Sequence, residues 1–166
     1  SVQAQDQLSS QNRKALRYYQ KGNTAMGNRD FVQAISYAER AIRIDERFTE
    51  AYIMIAESYS FTRDCEKSCV YFEKAIASNP DFSYKLYYFA ANEFMRCGNF
   101  EKAVSNFEEY FRRFPSNISE IPIVVRENYE LCLYRLQLMD DSLPINPINM
   151  GPRVNSAYAE YLPRLK

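Results

Sequence analysis

The residues most able to do chemistry in this chain are its carboxylates and its four cysteines, because the sequence contains no histidine. Without His the chain lacks the usual general base near neutral pH, His-based triads and every His-containing metal site. The cysteines form no C-x-x-C pair, and the four glycines form neither common phosphate-binding loop. A carboxylate enzyme using Glu57 with Glu50 is the alternative, but no apolar pocket around that pair is visible in the sequence. We therefore predict no enzyme activity, no catalytic residue, no metal and no cofactor.

Composition bounds the remaining function classes. The chain has 166 residues, with 21 Lys+Arg against 21 Asp+Glu, so its formal net charge is +0. Such a balance gives no electrostatic footprint for nucleic acid. No apolar run approaches the roughly 18–20 residues that span a bilayer. We expect no nucleic-acid partner and no direct membrane insertion. The 15% aromatic content indicates packing or a contact surface.

An internal repeat organises most of the chain. Tyr18, Tyr52 and Tyr87 are separated by steps of 34 and 35 residues, and other positions follow the same steps. Gly22, Ala56 and Ala91 form a small-residue position, and similar positions start at Ala25, Phe31, Ala34, Ala38, Ala41 and Glu46. Each unit contains two stretches with helical spacing of apolar residues, separated by a turn such as Gly98-Asn99. A single helix pair cannot bury its apolar face, so the units must stack into a solenoid.

These positions resemble the signature of the tetratricopeptide repeat, a two-helix unit of about 34 residues. In the second unit the signature reads Tyr52, Ala56, Tyr59, Ser68, Phe72, Ala75 and Pro80. The resemblance implies an all-α solenoid of three helix pairs. We expect repeats at 15–48, 49–82 and 84–117, within a domain at 10–141. Residues 1–9 are expected to be a flexible lead, and Ser9 or Ser10 to cap the first helix.

A longer helix is expected after the last repeat. Ser119 and Pro122 are typical of a helix start, and Val125, Tyr129 and Cys132 begin an apolar face of helical period. We predict a capping helix over 119–141 and an extended tail over 142–166, where prolines exclude continuous helix.

The tail carries a narrower resemblance. Asn149-Met150-Gly151 and Glu160-Tyr161-Leu162-Pro163 are similar to the entry of a WD40-like propeller in PorE-like, OmpA-family envelope proteins of Bacteroidetes. That resemblance implies a linker into a missing propeller, a periplasmic, outer-membrane-associated location, and a role in type IX secretion or outer-membrane and peptidoglycan anchoring. The alternatives are a tail that packs on the cap helix and a cytoplasmic peptide-binding adaptor or co-chaperone.

The resemblance also implies where a protein or peptide partner would bind. Solenoids of this type usually bind through the concave face, which the first helix of each pair lines. Three columns of the register fall on that face: Tyr19, Ile53 and Tyr88; Asn23, Glu57 and Asn92; and Met26, Ser60 and Met95. Amides between aromatic and Met side chains suit an extended or helical peptide. A groove filled by the chain's own tail, or simply solvated, is the alternative.

One family subtype predicts a different pocket. Chaperone-tail binders hold a C-terminal carboxylate with Lys, Asn and Arg side chains at fixed repeat positions. This chain keeps Asn23 and Lys85 there, but has Tyr19, Met54 and Phe89 at the other positions. We therefore expect no carboxylate clamp.

Three cysteines could form a disulfide. Cys65 and Cys69 lie one helical turn apart near the start of a second helix, and Cys97 ends the next first helix. Antiparallel neighbours bring these ends together, so Cys65–Cys97 and Cys69–Cys97 are both candidate pairs, which an oxidising periplasm would permit. In the alternative, Cys65 and Cys69 are small, reduced core residues.

Overall fold

The computed structural model describes residues 8–116 and 120–140. Those residues form seven α-helices and no strand: α1 Arg13–Gly27, α2 Phe31–Ile44, α3 Thr49–Phe61, α4 Cys65–Ser78, α5 Tyr84–Arg96, α6 Phe100–Arg113 and α7 Ile123–Asp140. Each helix packs against its neighbours along the chain, and α1 also contacts α3 while α5 contacts α7. The predicted all-α solenoid of three helix pairs followed by a further helix is confirmed.

The turn inside each pair is built in the same way. The residue before the second helix's N-cap has a positive φ, and the cap side chain accepts a hydrogen bond from the backbone N–H three residues on. The positive-φ residues are Arg29 (58°), Arg63 (64°) and Gly98 (75°), and the caps are Asp30, Asp64 and Asn99. This geometry reverses the chain within a few residues, as two antiparallel helices require.

Small residues let the helices of a pair approach closely. Ala34, Ser68 and Ala103 occupy one repeat position and are fully buried. The polar member of that set is satisfied, because the Ser68 hydroxyl donates to the Ala56 carbonyl at 2.9 Å. Aromatic side chains fill the space beside these contacts, with Phe72 and Phe107 buried between the helices.

At Gly22, α1 lies directly against the Met54 side chain of α3. A Cβ atom at this position would lie 2.5 Å from the Met54 Sδ atom, closer than atoms pack. Met54 is 3% exposed, so its side chain fills the space that the missing Cβ leaves. A larger residue at Gly22 would therefore require the Met54 side chain to shift.

The start of the first helix differs from the prediction. Its N-cap is Asn12, whose side chain accepts from the Lys14 and Ala15 backbone N–H groups, so the expected cap at Ser9 or Ser10 is wrong. Both serines are used elsewhere. The Ser10 hydroxyl donates to Asp45, and the Ser9 hydroxyl accepts from the Thr49 backbone N–H at 3.0 Å. These bonds hold Ser9 and Ser10 against the turn before α3. The sequence had placed Ser9 at the end of a flexible lead.

The last helix also begins later than expected. Residues 120–122 are not α-helical, and α7 starts at Ile123, directly after Pro122. Pro122 has no N–H to donate, and its carbonyl accepts from the Val125 backbone N–H at 3.0 Å, which opens the first turn. Val125 and Cys132 bury the predicted apolar face against the last repeat. Residues 1–7, the proposed cap Ser119 and the tail 142–166 lie outside the described residues.

A concave groove lined by the first helices

The nine side chains predicted for the groove lie on three helices. Tyr19, Asn23 and Met26 are on α1, Ile53, Glu57 and Ser60 on α3, and Tyr88, Asn92 and Met95 on α5. The contact of α1 with α3, and hydrogen bonds between α3 and α5, bring these helices side by side. The residues differ in how much of each side chain remains available to a partner.

Several of the apolar members belong mainly to the core. The Tyr19 ring packs on Phe48, with centroids 4.8 Å apart, and the Tyr88 ring lies 5.7 Å from that of Tyr110. Ile53 and Met95 pack at the edge of the core cluster that covers the second and third repeats. These side chains form the floor of the groove and present only part of their surface.

The polar members are largely engaged within the chain. The Asn92 amide nitrogen donates to the Tyr88 carbonyl at 2.7 Å, and its oxygen accepts from Asn128 of α7 at 2.9 Å. Asn23 is exposed, and its side chain partly offsets the effect of burial on the pKa of Tyr19. The expectation that these amides are free to pair with a peptide backbone therefore applies better to Asn23 than to Asn92.

A cavity of about 250 Å³ opens between α3 and α5. Glu57, Ser60, Phe61, Phe72, Phe89, Asn92 and Glu93 line it. Three of the predicted groove residues line it, together with four residues that lie outside the three groove columns.

Two of the added residues are exposed aromatics. Phe61 is 65% exposed and Phe89 is 51% exposed. Phe61 stacks on Phe31, with ring centroids 5.2 Å apart, which holds its ring at the rim of the cavity. Phe61 directly follows Ser60 and Phe89 directly follows Tyr88, so neither belongs to a groove column. The repeat register therefore did not show that these rings are exposed to solvent.

Two carboxylates in the cavity are held differently. Glu93 is buried, forms an ion pair with Arg96, and accepts from the Ser60 hydroxyl at 3.1 Å. Glu57 is half-buried, and no hydrogen bond or cation of the described chain reaches its carboxylate. Loss of solvent around this uncompensated charge raises the pKa of Glu57. Burial also raises the pKa of Tyr19, with Glu50 and Glu57 adding to the effect.

The three residues that depart from the carboxylate-clamp pattern have distinct environments. At the three changed positions, Met54 is buried against Gly22, Tyr19 packs on Phe48, and Phe89 presents a ring. None of these side chains can donate a charged hydrogen bond to a carboxylate.

The cysteines meet at the junction of the second and third repeats. Cys65 and Cys97 form a disulfide with a Cα–Cα distance of 5.7 Å. The Cys69 thiol lies 3.5 Å from the Cys97 Sγ atom and is buried. Burial, followed by the charge of Glu93, raises the pKa of Cys69 to about 11. The first of the two candidate pairs is thus present in this structure, while Cys69 is a core thiol.

The described residues contain neither a metal-ligand cluster nor a membrane-spanning helix. Within 8–116 and 120–140, no group of His, Cys, Asp and Glu is arranged to hold a metal ion. No helix among them is long and apolar enough to cross a bilayer.

Family comparison decides the class of the repeat. The tetratricopeptide repeat model matches residues 15–48, 49–82 and 84–117, which together make up more than half of the chain. The chain belongs to the tetratricopeptide repeat family. No curated protein matches this tetratricopeptide repeat protein in sequence.

Solved structures share the fold at low sequence identity. The TPR2B domain of yeast Sti1, solved with pHsp70, aligns with a TM-score of 0.64 at 14% identity, over 75% of this chain and 99% of that chain. The Yersinia enterocolitica type III secretion chaperone SycD, solved with a peptide of the translocator YopD, gives 0.65 at 9% identity, over 75% and 96%. The second TPR domain of human RPAP3, solved with the HSP70 peptide SGPTIEEVD, gives 0.61 at 17% identity, over 72% and 95%.

Proposed function

We propose that this tetratricopeptide repeat protein is a non-catalytic scaffold that binds an extended or helical peptide segment of a partner protein in its concave groove. The observation that carries the proposal is the cavity between α3 and α5, where two exposed Phe rings flank polar side chains. Exposed aromatic rings on a rigid framework are typical anchors for partner side chains.

The structural neighbours support the proposal through their bound peptides. SycD and the RPAP3 domain were each solved with a peptide from another protein. These complexes support the proposal that a domain of this architecture holds such a segment. The residues lining the groove must decide which segment binds here.

Those residues disfavour the co-chaperone alternative. The RPAP3 domain binds a peptide ending in EEVD. In this chain, Tyr19, Met54 and Phe89 replace the cationic and amide side chains that would hold its terminal carboxylates. We propose a partner other than a chaperone tail.

We further propose a place in the cell envelope, in type IX secretion or in outer-membrane and peptidoglycan anchoring. Two features support it: the similarity of residues 149–163 to a propeller entry, and a Cys65–Cys97 bridge that suits an oxidising compartment. Fractionation of native cells, with thiol labelling before lysis, tests this location. Periplasmic or outer-membrane recovery with the bridge intact is expected. Cytosolic recovery with both thiols reduced would contradict it.

The binding proposal can be tested with a random-peptide display library. The groove variant is Phe61→Ala/Phe89→Ala, which removes the two exposed rings. The matched control is Val32→Ala/Val70→Ala, which trims two exposed side chains on the second helices α2 and α4. Peptides should be enriched on the wild type and the control and lost on the groove variant. Equal recovery on both variants, or no enrichment on the wild type, would refute groove binding.

A further inference from the structure

We propose that the cavity between α3 and α5 is a receptor for one Lys or Arg side chain of the partner peptide, flanked in that peptide by apolar residues. This inference rests on the proposed function and specifies the chemistry of the segment that binds. It reverses the charge preference of a groove that holds a carboxylate tail.

The charge of the cavity is the first argument. Glu93 is neutralised by Arg96 and is also bonded to Ser60, so it has little remaining capacity. Glu57 has no cation within the described chain, which leaves the cavity with one uncompensated negative charge. A half-buried carboxylate loses hydration without gaining a partner, and an incoming cation would supply that partner.

The surroundings of Glu57 do not offer another cation. From α1 it faces the Tyr19 phenol, which carries no positive charge. From α5, Asn92 and Glu93 line the same cavity, and Glu93 is paired with Arg96. The raised pKa of Glu57 agrees with this uncompensated environment.

The walls of the cavity are the second argument. Phe61 and Phe89 present exposed rings at its edge, and the face of an aromatic ring attracts a Lys ammonium or an Arg guanidinium. The apolar stem of either side chain can lie along the rings while the charged end reaches the carboxylate. Flanking apolar residues of the peptide would cover the remaining ring surface.

The size of the cavity is the third argument. Pockets for small-molecule ligands usually measure about 300–1,000 Å³. At about 250 Å³ this cavity is below that range and suits a single long side chain. An acidic side chain would meet the negative charge of Glu57, and the described residues that line the cavity include no Lys or Arg to offset it. That repulsion gives the site its selectivity.

The sequences recovered from the display library give the first test. Peptides that depend on the Phe61 and Phe89 rings should share one Lys or Arg next to apolar residues. If groove-dependent peptides are recovered but carry an acidic residue or no charge at that position, the charge inference fails while groove binding stands. If no groove-dependent peptide is recovered, the proposed function itself fails and the inference fails with it.

Affinities of one recovered peptide give the second test. Calorimetry compares it with the same peptide carrying citrulline or norleucine in place of its Arg or Lys. The proteins are the wild type, Glu57→Gln, and the control Glu39→Gln, which removes the same charge from an exposed position on α2. We expect Glu57→Gln and the neutral peptide each to weaken binding about tenfold, and Glu39→Gln to change it little.

The combined measurement separates a direct contact from a general charge effect. On the Glu57→Gln protein, the neutral and charged peptides should bind nearly equally, because the contact is already lost. A full additional tenfold loss with the neutral peptide would overturn the assignment of Glu57 as the cation's partner. An equal loss with Glu39→Gln would show long-range attraction rather than a site.

Discussion

The Cys65–Cys97 bridge supports a quantitative prediction about stability. The two residues are separated by 32 positions, so the bridge closes a loop of that length in the unfolded chain. Loop-closure entropy for such a length corresponds to about 4 kcal/mol at 25 °C. Reduction should therefore lower the free energy of unfolding by about that amount. With a urea dependence of about 2 kcal/mol/M, the unfolding midpoint should fall by about 2 M.

The assay pairs urea unfolding with a peptide map. Circular dichroism follows unfolding with and without a phosphine reductant, and Cys65→Ala/Cys97→Ala serves as the control that reductant should not change. Trypsin cuts after Lys67, between Cys65 and Cys69, so the two candidate pairs give different linked peptides. Under non-reducing conditions, residues 64–67 should be joined to residues 97–102.

The raised pKa of Cys69 explains why this pair should persist. With a pKa of about 11, the Cys69 thiol is protonated at neutral pH and is a poor nucleophile toward the adjacent Cys97 sulfur. A map in which residues 68–74 are joined to 97–102 would refute this reasoning. A bridge that forms correctly but leaves the urea midpoint unchanged on reduction would refute the entropy argument instead.

Three further outcomes follow from the structure. Gly22→Ala should lower the free energy of unfolding by about 1 kcal/mol in urea titration, because overpacking against Met54 outweighs the gain in helix propensity. The control Gly27→Ala should be neutral or stabilising, because its new Cβ meets nothing within 4 Å. An equal loss of stability in the two variants would contradict the packing argument. Gly98→Ala should cost about 1 kcal/mol in the same assay because φ is +75° there, and a stabilised variant would show that the turn changes conformation. Binding of a basic peptide should weaken as the pH falls through the raised pKa of Glu57, because protonation removes the negative charge. Calorimetry should show this loss of affinity beginning at a higher pH than an ordinary Glu would give. The same pH profile in the Glu57→Gln variant would refute Glu57 as the cause.

The repeat was predictable because it is recorded many times in the sequence. Small residues at Gly22, Ala56 and Ala91 and aromatics at fixed offsets can satisfy only one register of helix pairs. The turn of the second repeat was harder to recognise, since Arg63 takes the left-handed position that Gly98 takes in the third. Glycine therefore indicates the left-handed turn position in the third repeat, but the sequence of the second repeat has no glycine there to indicate it.

The groove was less predictable because neighbouring side chains decide what remains available. Three residues of the predicted columns, Glu57, Ser60 and Asn92, line one cavity. Spacing cannot show that the Asn92 amide oxygen is already used by Asn128. It likewise cannot show that Arg96 neutralises Glu93. The predicted N-cap of α1 was wrong for the same reason. Serine is a favourable N-cap residue, but the hydroxyls of Ser9 and Ser10 bond to residues near the start of α3 that are distant in sequence.

The bridge between the second and third repeats also limits how far this chain can be stretched. If the molecule were pulled from its two ends, force would pass through the Cys65–Cys97 bond and bypass the 32-position span that it closes. At about 3.5 Å per residue, the segment between the two cysteines has a contour length of about 110 Å, which cannot be extended until the disulfide is reduced. A solenoid linking two larger bodies would thus have two maximum lengths, set by the oxidation state of one pair of sulfur atoms.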